Sequence, residues 1–149
     1  MQISESIIIE RPLEEVFSVL TDFSQEPRWR SAIKEVRYLD EPGEGESLAG
    51  LKIQYISRFI GKRITSTVRI TEYERNQLLA YETISGPIKV RGRDTFEPLN
   101  GKTRLTINHQ GRLKGLFRIA EPLLSKIAAR GICSDLKNFK KFVEAGSHR

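Results

Sequence analysis

The sequence predicts one α+β domain: a curved antiparallel sheet of seven strands wrapped around a long C-terminal helix, with two short helices after the first strand. Three observations predict it. An isoleucine-rich opening segment stops at Pro12 and gives way to apolar residues spaced three and four apart. From Ile33 to Gln110 apolar and polar residues alternate between closely spaced turn signals. After Gly115 the apolar spacing returns to threes and fours and holds to Glu144. A chain of 149 residues is long enough for one core and too short for two. Residues 1–145 are therefore read as the domain and residues 146–149 as a disordered tail.

The elements follow in order. Gln2 to Glu10 holds Ile3, Ile7, Ile8 and Ile9, β-branched residues that suit a strand, and Pro12 stands where a helix can begin. Leu13, Val16, Phe17 and Leu20 fall at i, i+3, i+4 and i+7, one stripe of a short amphipathic helix. Thr21-Asp22 opens a second short turn through Phe23 to Trp29, which Pro27 keeps brief. Breaks at Pro42-Gly43-Glu44-Gly45, Gly61-Lys62, Asn76-Gln77, Gly86-Pro87 and Asn100-Gly101 then delimit six strands. These are Ile33 to Leu39, Leu51 to Ile60, Arg63 to Tyr73, Leu78 to Ile84, Lys89 to Glu97 and Thr103 to Leu113. Such short connections join neighbours as antiparallel hairpins. Leu123, Leu124, Ile127, Ala128, Ile132, Leu136, Phe139 and Val143 predict the long helix, and Pro122 marks its start or a kink after a turn at Leu116 to Glu121. Gly131 inside that helix costs about 1 kcal/mol against alanine, so it marks a bend or leaves room on its face.

Composition narrows the function classes. Lys and Arg number 25 against 19 Asp and Glu, a net charge of +6 that favours nucleic acid, an anionic membrane surface or an acidic ligand as partner. The one cysteine, Cys133, has no internal disulfide partner, and no His or Cys cluster has metal-ligand spacing, so neither metal nor cofactor is expected. The opening residues lack a secretory pattern and no apolar run approaches ~18 residues, which predicts a cytoplasmic protein. Gly43 and Gly45 lie among Asp40, Glu41, Glu44 and Glu46, which would repel phosphate and disfavour nucleotide chemistry. Arg112, Lys114, Arg118, Lys126, Arg130, Lys137, Lys140 and Lys141 crowd the last third. They form a face for anionic lipid headgroups or RNA, or the plain solvated side of an amphipathic helix. The absence of interleaved aromatics and of any nucleic-acid motif disfavours RNA.

Strand alternation assigns the inner face. Leu51, Ile53, Tyr55, Ser57 and Phe59 share a side, as do Leu79, Tyr81 and Thr83, then Val90, Gly92, Asp94 and Phe96, then Leu105, Ile107, His109 and Gly111. Leu123, Leu124, Ile127 and Gly131 of the helix form the opposite wall, with Trp29 near an entrance. Tyr55, Ser57, Tyr81, Thr83, Asp94 and His109 supply the few polar groups that orient a ligand in an apolar pocket. Each has a packing reading too: an inward tyrosine commonly satisfies its hydroxyl on backbone or water. Trp29 could gate a membrane or ligand, but a tryptophan at a helix-to-strand crossing is usually a packing anchor. His109 and Asp94 are the one inward pair able to do acid–base work, the carboxylate fixing the imidazole tautomer. No residue is assigned as catalytic. Cys133 has no histidine near it in sequence to act as base and reads as filler.

Five segments carry a family resemblance: Ile9-Glu10-Arg11-Pro12-Leu13-Glu14-Glu15-Val16-Phe17, Leu20-Thr21-Asp22-Phe23, Pro27-Arg28-Trp29, Asp94-Thr95-Phe96-Glu97-Pro98 and Gly101-Lys102-Thr103-Arg104-Leu105-Thr106. In this order they resemble the START-like superfamily and, within it, the polyketide cyclase/dehydrase and lipid-transport group. The resemblance implies the helix-grip fold and an apolar cavity between sheet and long helix. It thus implies binding or transport of a small hydrophobic ligand, such as a lipid, an isoprenoid quinone or an aromatic polyketide. The expected ligand contacts are Trp29, Tyr55, Ser57, Phe59, Tyr81, Thr83, Asp94, His109, Leu123 and Ile127. A cyclase or dehydratase acting on an aromatic or polyketide substrate is the alternative, and a basic surface module for anionic membrane or RNA a further one. The oligomeric state is left open.

Overall fold

The isoleucines of the opening segment form β1 (Gln2–Ile9) in the computed structural model, which describes residues 1–42, 47–113, 115–146 and 148, without the side chain of Phe117. Pro12 precedes α1 (Leu13–Leu20), and the second turn is a 3₁₀ helix (Phe23–Arg28) that contains Pro27. The Asp22 carboxylate steadies its start by accepting from Ser24 Oγ at 2.5 Å and Gln25 Nε2 at 2.6 Å. Then come β2 (Ile33–Tyr38), β3 (Lys52–Phe59), β4 (Lys62–Glu74), β5 (Leu78–Ser85), β6 (Ile88–Leu99) and β7 (Lys102–Leu113). Their ends differ from expectation by a residue or two. The chain closes with α2 (Leu116–Ile119) and α3 (Glu121–Glu144). Pro122 lies in the first turn of α3, so it starts the helix and does not kink it. The expected Pro42-Gly43-Glu44-Gly45 turn, Glu46, Lys114, and Ser147 and Arg149 of the tail lie outside the described residues. His148 packs on the Phe142 ring with Nε2 3.3 Å from Glu15.

All pairings are antiparallel, in the order β1-β7-β6-β5-β4-β3-β2. Neighbours in sequence are therefore hairpin partners, except that β1 lies beside β7. This puts the start of β1, the β3–β4 and β5–β6 tips and the end of β7 at one end of the sheet. The β4–β5 and β6–β7 tips lie at the other. At that other end Asn76 and Asn100 take the left-handed conformation, with φ of 63° and 50°, which asparagine tolerates. At the β3–β4 tip the residue in that conformation is Ile60, φ 52°, followed by Gly61. A β-branched residue there costs roughly 1–2 kcal/mol.

The stripe on α1 buries Val16, Phe17 and Leu20, together with Val19, against the sheet. The Phe17 ring meets Phe96 edge-on at 5.0 Å and Tyr73 at 5.6 Å. Helix α3 is gripped at its C-terminal half, where Leu136, Phe139, Phe142 and Val143 are buried and Phe139 leans on Trp29 at 4.7 Å. Burying each such side chain stabilises the fold by about 1.5–3 kcal/mol. Polar ties reinforce this end: Lys140 Nζ donates to Ile8 O at 2.8 Å, and the Arg11 guanidinium donates to the Glu144 carbonyl. In the N-terminal half Leu124 alone is buried. That half therefore stands across a gap from the concave face. Among the described residues no helix is long and apolar enough to cross a membrane.

Candidate functional site

The gap is a cavity of about 480 Å³. Strands β3, β5, β6 and β7 present Tyr55, Ser57, Phe59, Tyr81, Thr83, Asp94 and His109 to it. Leu124, Ile127, Ala128 and Gly131 of α3 face them, and the segment around the 3₁₀ helix adds Glu26, Trp29 and Arg30. A Cβ built on Gly131 would touch nothing within 4 Å, so this glycine leaves room on the cavity wall. Leu123 departs from expectation: it is 62% exposed and outside the wall, because the helix turns its neighbour Leu124 inward instead. Trp29 takes the packing-anchor role: it is 7% exposed and packed on Phe139, lining the cavity from within rather than standing at an entrance, and Asn138 Nδ2 donates to its carbonyl at 3.3 Å.

Sheet register builds the polar part. Tyr81 on β5 lies opposite Gly92 on β6, which lies opposite His109 on β7. Alternation points all three inward. A Cβ on Gly92 would come within 2.2 Å of the Tyr81 ring, so the tyrosine lies across a position that only glycine leaves open. Its hydroxyl thereby reaches His109 Nε2 at 2.5 Å, with the rings edge-on at 5.8 Å. The same hydroxyl is 3.4 Å from Asp94 Oδ1, a long contact. The two residues named from sequence as able to do acid–base work, Asp94 and His109, are thus linked through the Tyr81 hydroxyl. Two proton arrangements fit the geometry: the hydroxyl donates to His109 Nε2, or the ring N–H donates to Tyr81 while Tyr81 donates to Asp94.

Burial first, then the nearby Glu26 charge, pushes the Asp94 carboxyl up to about 7, against the Tyr81 hydrogen bond and Arg30. Burial, followed by Arg30, pushes the His109 imidazole down to about 4. Burial also raises the Tyr81 hydroxyl well above its ordinary value, with the Asp94 charge adding to it. Near neutrality the cluster therefore holds a neutral imidazole and tyrosine beside a carboxyl that exchanges its proton.

A second cluster adjoins it, one the sequence did not reveal. Tyr55 donates to Glu26 Oε1 at 2.5 Å, and Arg30 Nη1 donates to Glu26 Oε2 at 2.6 Å. Arg30 Nε also lies 3.8 Å from Asp135 Oδ2 on α3, tying the 3₁₀ segment to the helix. Burial opposes the Arg30 charge, but Glu26 and the Tyr55 hydroxyl more than offset this and raise its pKa. The available signal was the Glu-to-Arg spacing of four around Trp29. A turn cut short by Pro27 hid it. Among the described residues no group of His, Cys, Asp and Glu side chains could hold a metal ion.

The sequence matches the family described as polyketide cyclase / dehydrase and lipid transport over residues 1–144. A search of curated protein sequences gave no match. Among solved structures, TTHA0849 from Thermus thermophilus superposes with a TM-score of 0.85 at 16% identity, covering 99% of each chain. A START superfamily protein from Mycobacterium smegmatis gives 0.80 at 19% identity over 97% of each chain. The Zhui aromatase/cyclase from Streptomyces sp. R1128 gives 0.80 at 19% identity, covering 97% of this chain and 93% of that one. Identities this low establish the fold. With a family match running from the first strand to the end of α3, the chain belongs to the polyketide cyclase/dehydrase and lipid transport family and carries the START helix-grip fold.

Proposed function

We propose that the protein binds a small, largely hydrophobic molecule with one oxygen-bearing end. The observation that carries this is the uneven lining of the cavity. Phe59, Ile64, Val90, Leu124 and Ile127 form an apolar wall, while Tyr81, Asp94 and His109 gather hydrogen-bonding groups in one place. Apolar burial at ~25 cal/mol per Å² would supply most of the affinity, and one or two hydrogen bonds the orientation. A lipid, an isoprenoid quinone and an aromatic polyketide all fit this description. Native mass spectrometry of gently purified protein, set against the denatured mass, tests it. The expected result is a discrete added mass released on unfolding. Ile127→Trp and Tyr81→Ala should each lower its occupancy while the fold survives, and unchanged occupancy in both would place the site elsewhere.

The neutral acid and neutral base of the Asp94–Tyr81–His109 array favour a second reading, acid–base chemistry on the bound molecule such as cyclisation or dehydration. An aromatase/cyclase among the structural neighbours supports it. In this reading Asp94→Asn and His109→Ala keep binding and lose turnover. Full activity in both variants would dispose of it.

A further inference from the structure

We infer that the end of the molecule around the cavity mouth docks on an anionic lipid surface. This goes beyond what fills the cavity and does not depend on it. Ile60 at the β3–β4 tip, Ile84 near the β5–β6 tip, Leu116 and Ile119 on α2, and Leu123 and Ile127 at the start of α3 are all exposed. Strand order puts the two tips at one end of the sheet, and the chain leaving β7 there, held by the Glu121–Met1 ion pair, puts α2 and the start of α3 at the same end. Leu116 and Ile119 are the extreme cases, 85% and 83% exposed. Ile60 and Ile127 also line the cavity, so the apolar rim is continuous with its interior.

Charge identifies the occupant. The hairpin contributes Arg58 and Arg63 to this end, and the helices contribute Arg118, Lys126 and Arg130. The acid on α2 and the start of α3 is Glu121, already engaged by the Met1 nitrogen at 3.0 Å. Apolar tips ringed by cations match a bilayer whose surface is negative and whose interior is hydrocarbon. A second copy of this chain would set cations against cations. RNA would leave the apolar tips in water.

Ile60 is an independent observation. The tips at the far end place asparagine in the left-handed conformation, whereas the tip beside the mouth keeps a strained, 55% exposed isoleucine there. Local geometry favours Asn or Gly at such a position, so the apolar side chain is retained at a cost to the turn.

The test is co-sedimentation with vesicles of phosphatidylcholine alone and of phosphatidylcholine mixed equally with phosphatidylglycerol. The full chain should pellet with the anionic vesicles and hardly at all with the neutral ones. Ile60→Asn should raise the melting temperature by a few degrees and yet lower partitioning, a combination that a purely structural role cannot give. Leu116→Glu with Ile119→Glu, both in solvent, should abolish pelleting. Arg118→Gln and Lys126→Gln should each reduce it roughly fivefold, more weakly as salt rises. Lys137→Gln, about 16 Å along the helix from Lys126, should change nothing. No pelleting overturns the proposal. So does pelleting that survives Leu116→Glu with Ile119→Glu, which would mean charge attraction without insertion. Concentration-dependent dimerisation relieved by Ile119→Glu would overturn it in favour of a second copy.

Discussion

At the scale of single residues, the array on the sheet depends on a side chain that is missing. Gly92 lets the Tyr81 ring cross its position and reach His109. Gly92→Ala must push that ring aside, so it should destabilise the fold by about 1–3 kcal/mol, as overpacking does, and weaken ligand binding. Thermal unfolding and a binding titration check both. The two titrating groups pull stability in opposite directions. Asp94 holds its proton more tightly when folded, so its contribution is complete below pH ~4 and is lost as pH rises toward about 7. His109 holds its proton less tightly when folded, so its contribution is complete above about 6.5 and is lost as pH falls toward about 4. In the window between, the slopes oppose. Asp94→Asn should therefore leave stability that rises with pH, and His109→Gln stability that falls, each by at most ~1.4 kcal/mol per pH unit. Denaturant melts at several pH values decide it, and slopes of the same sign in both variants would refute the assignment.

At the scale of elements, α3 has two halves with different work. Its C-terminal half is held by Leu136, Phe139 and Val143 in the core, while the N-terminal half roofs the cavity with few buried contacts. Amide exchange should be faster over the first three turns than over the last three, and a bound ligand should slow it in the first half selectively. Gly131 allows a sharper test. A side chain there enters open space. Gly131→Ala should stabilise the helix by up to about 1 kcal/mol and leave binding nearly intact. Gly131→Phe would fill the cavity and compete with ligand while the protein still folds. Binding undiminished in Gly131→Phe would show that the ligand does not lie under this helix.

At the scale of the whole molecule, the fold sets a helix across a curved sheet without closing on it, and a cavity left empty forgoes packing. A ligand that fills it should raise stability by mass action, about 2.7 kcal/mol at a hundredfold excess over Kd, a shift of several degrees in melting temperature. A series of hydrophobic alcohols and phenols compared by thermal shift should show larger shifts for ring compounds carrying one oxygen than for hydrocarbons of equal size. Equal shifts would indicate that Tyr81, Asp94 and His109 do not orient the ligand.

How much of this was legible beforehand follows from the range of the forces involved. Strand alternation and the three-and-four spacing of Leu13 to Leu20 and Leu124 to Val143 are local patterns, and they sufficed for the elements, the antiparallel order and the inward faces of β3, β5, β6 and β7. They also sufficed to place Tyr81, Asp94 and His109 on one side of the sheet. Periodicity put both Leu123 and Leu124 on the inner wall, since both fit the apolar stripe, whereas the docked helix turns only Leu124 inward. The Glu26–Arg30–Asp135 tie and the role of Gly92 were equally hidden. Each joins residues far apart in the chain, or rests on the absence of a side chain, and cross-strand register together with helix docking brings those groups together. The sequence by itself determined the elements and their faces because backbone and side-chain preferences act over a few residues; the tertiary structure alone decided how the cavity is lined and how its polar groups meet, because these contacts exist only where distant segments come together.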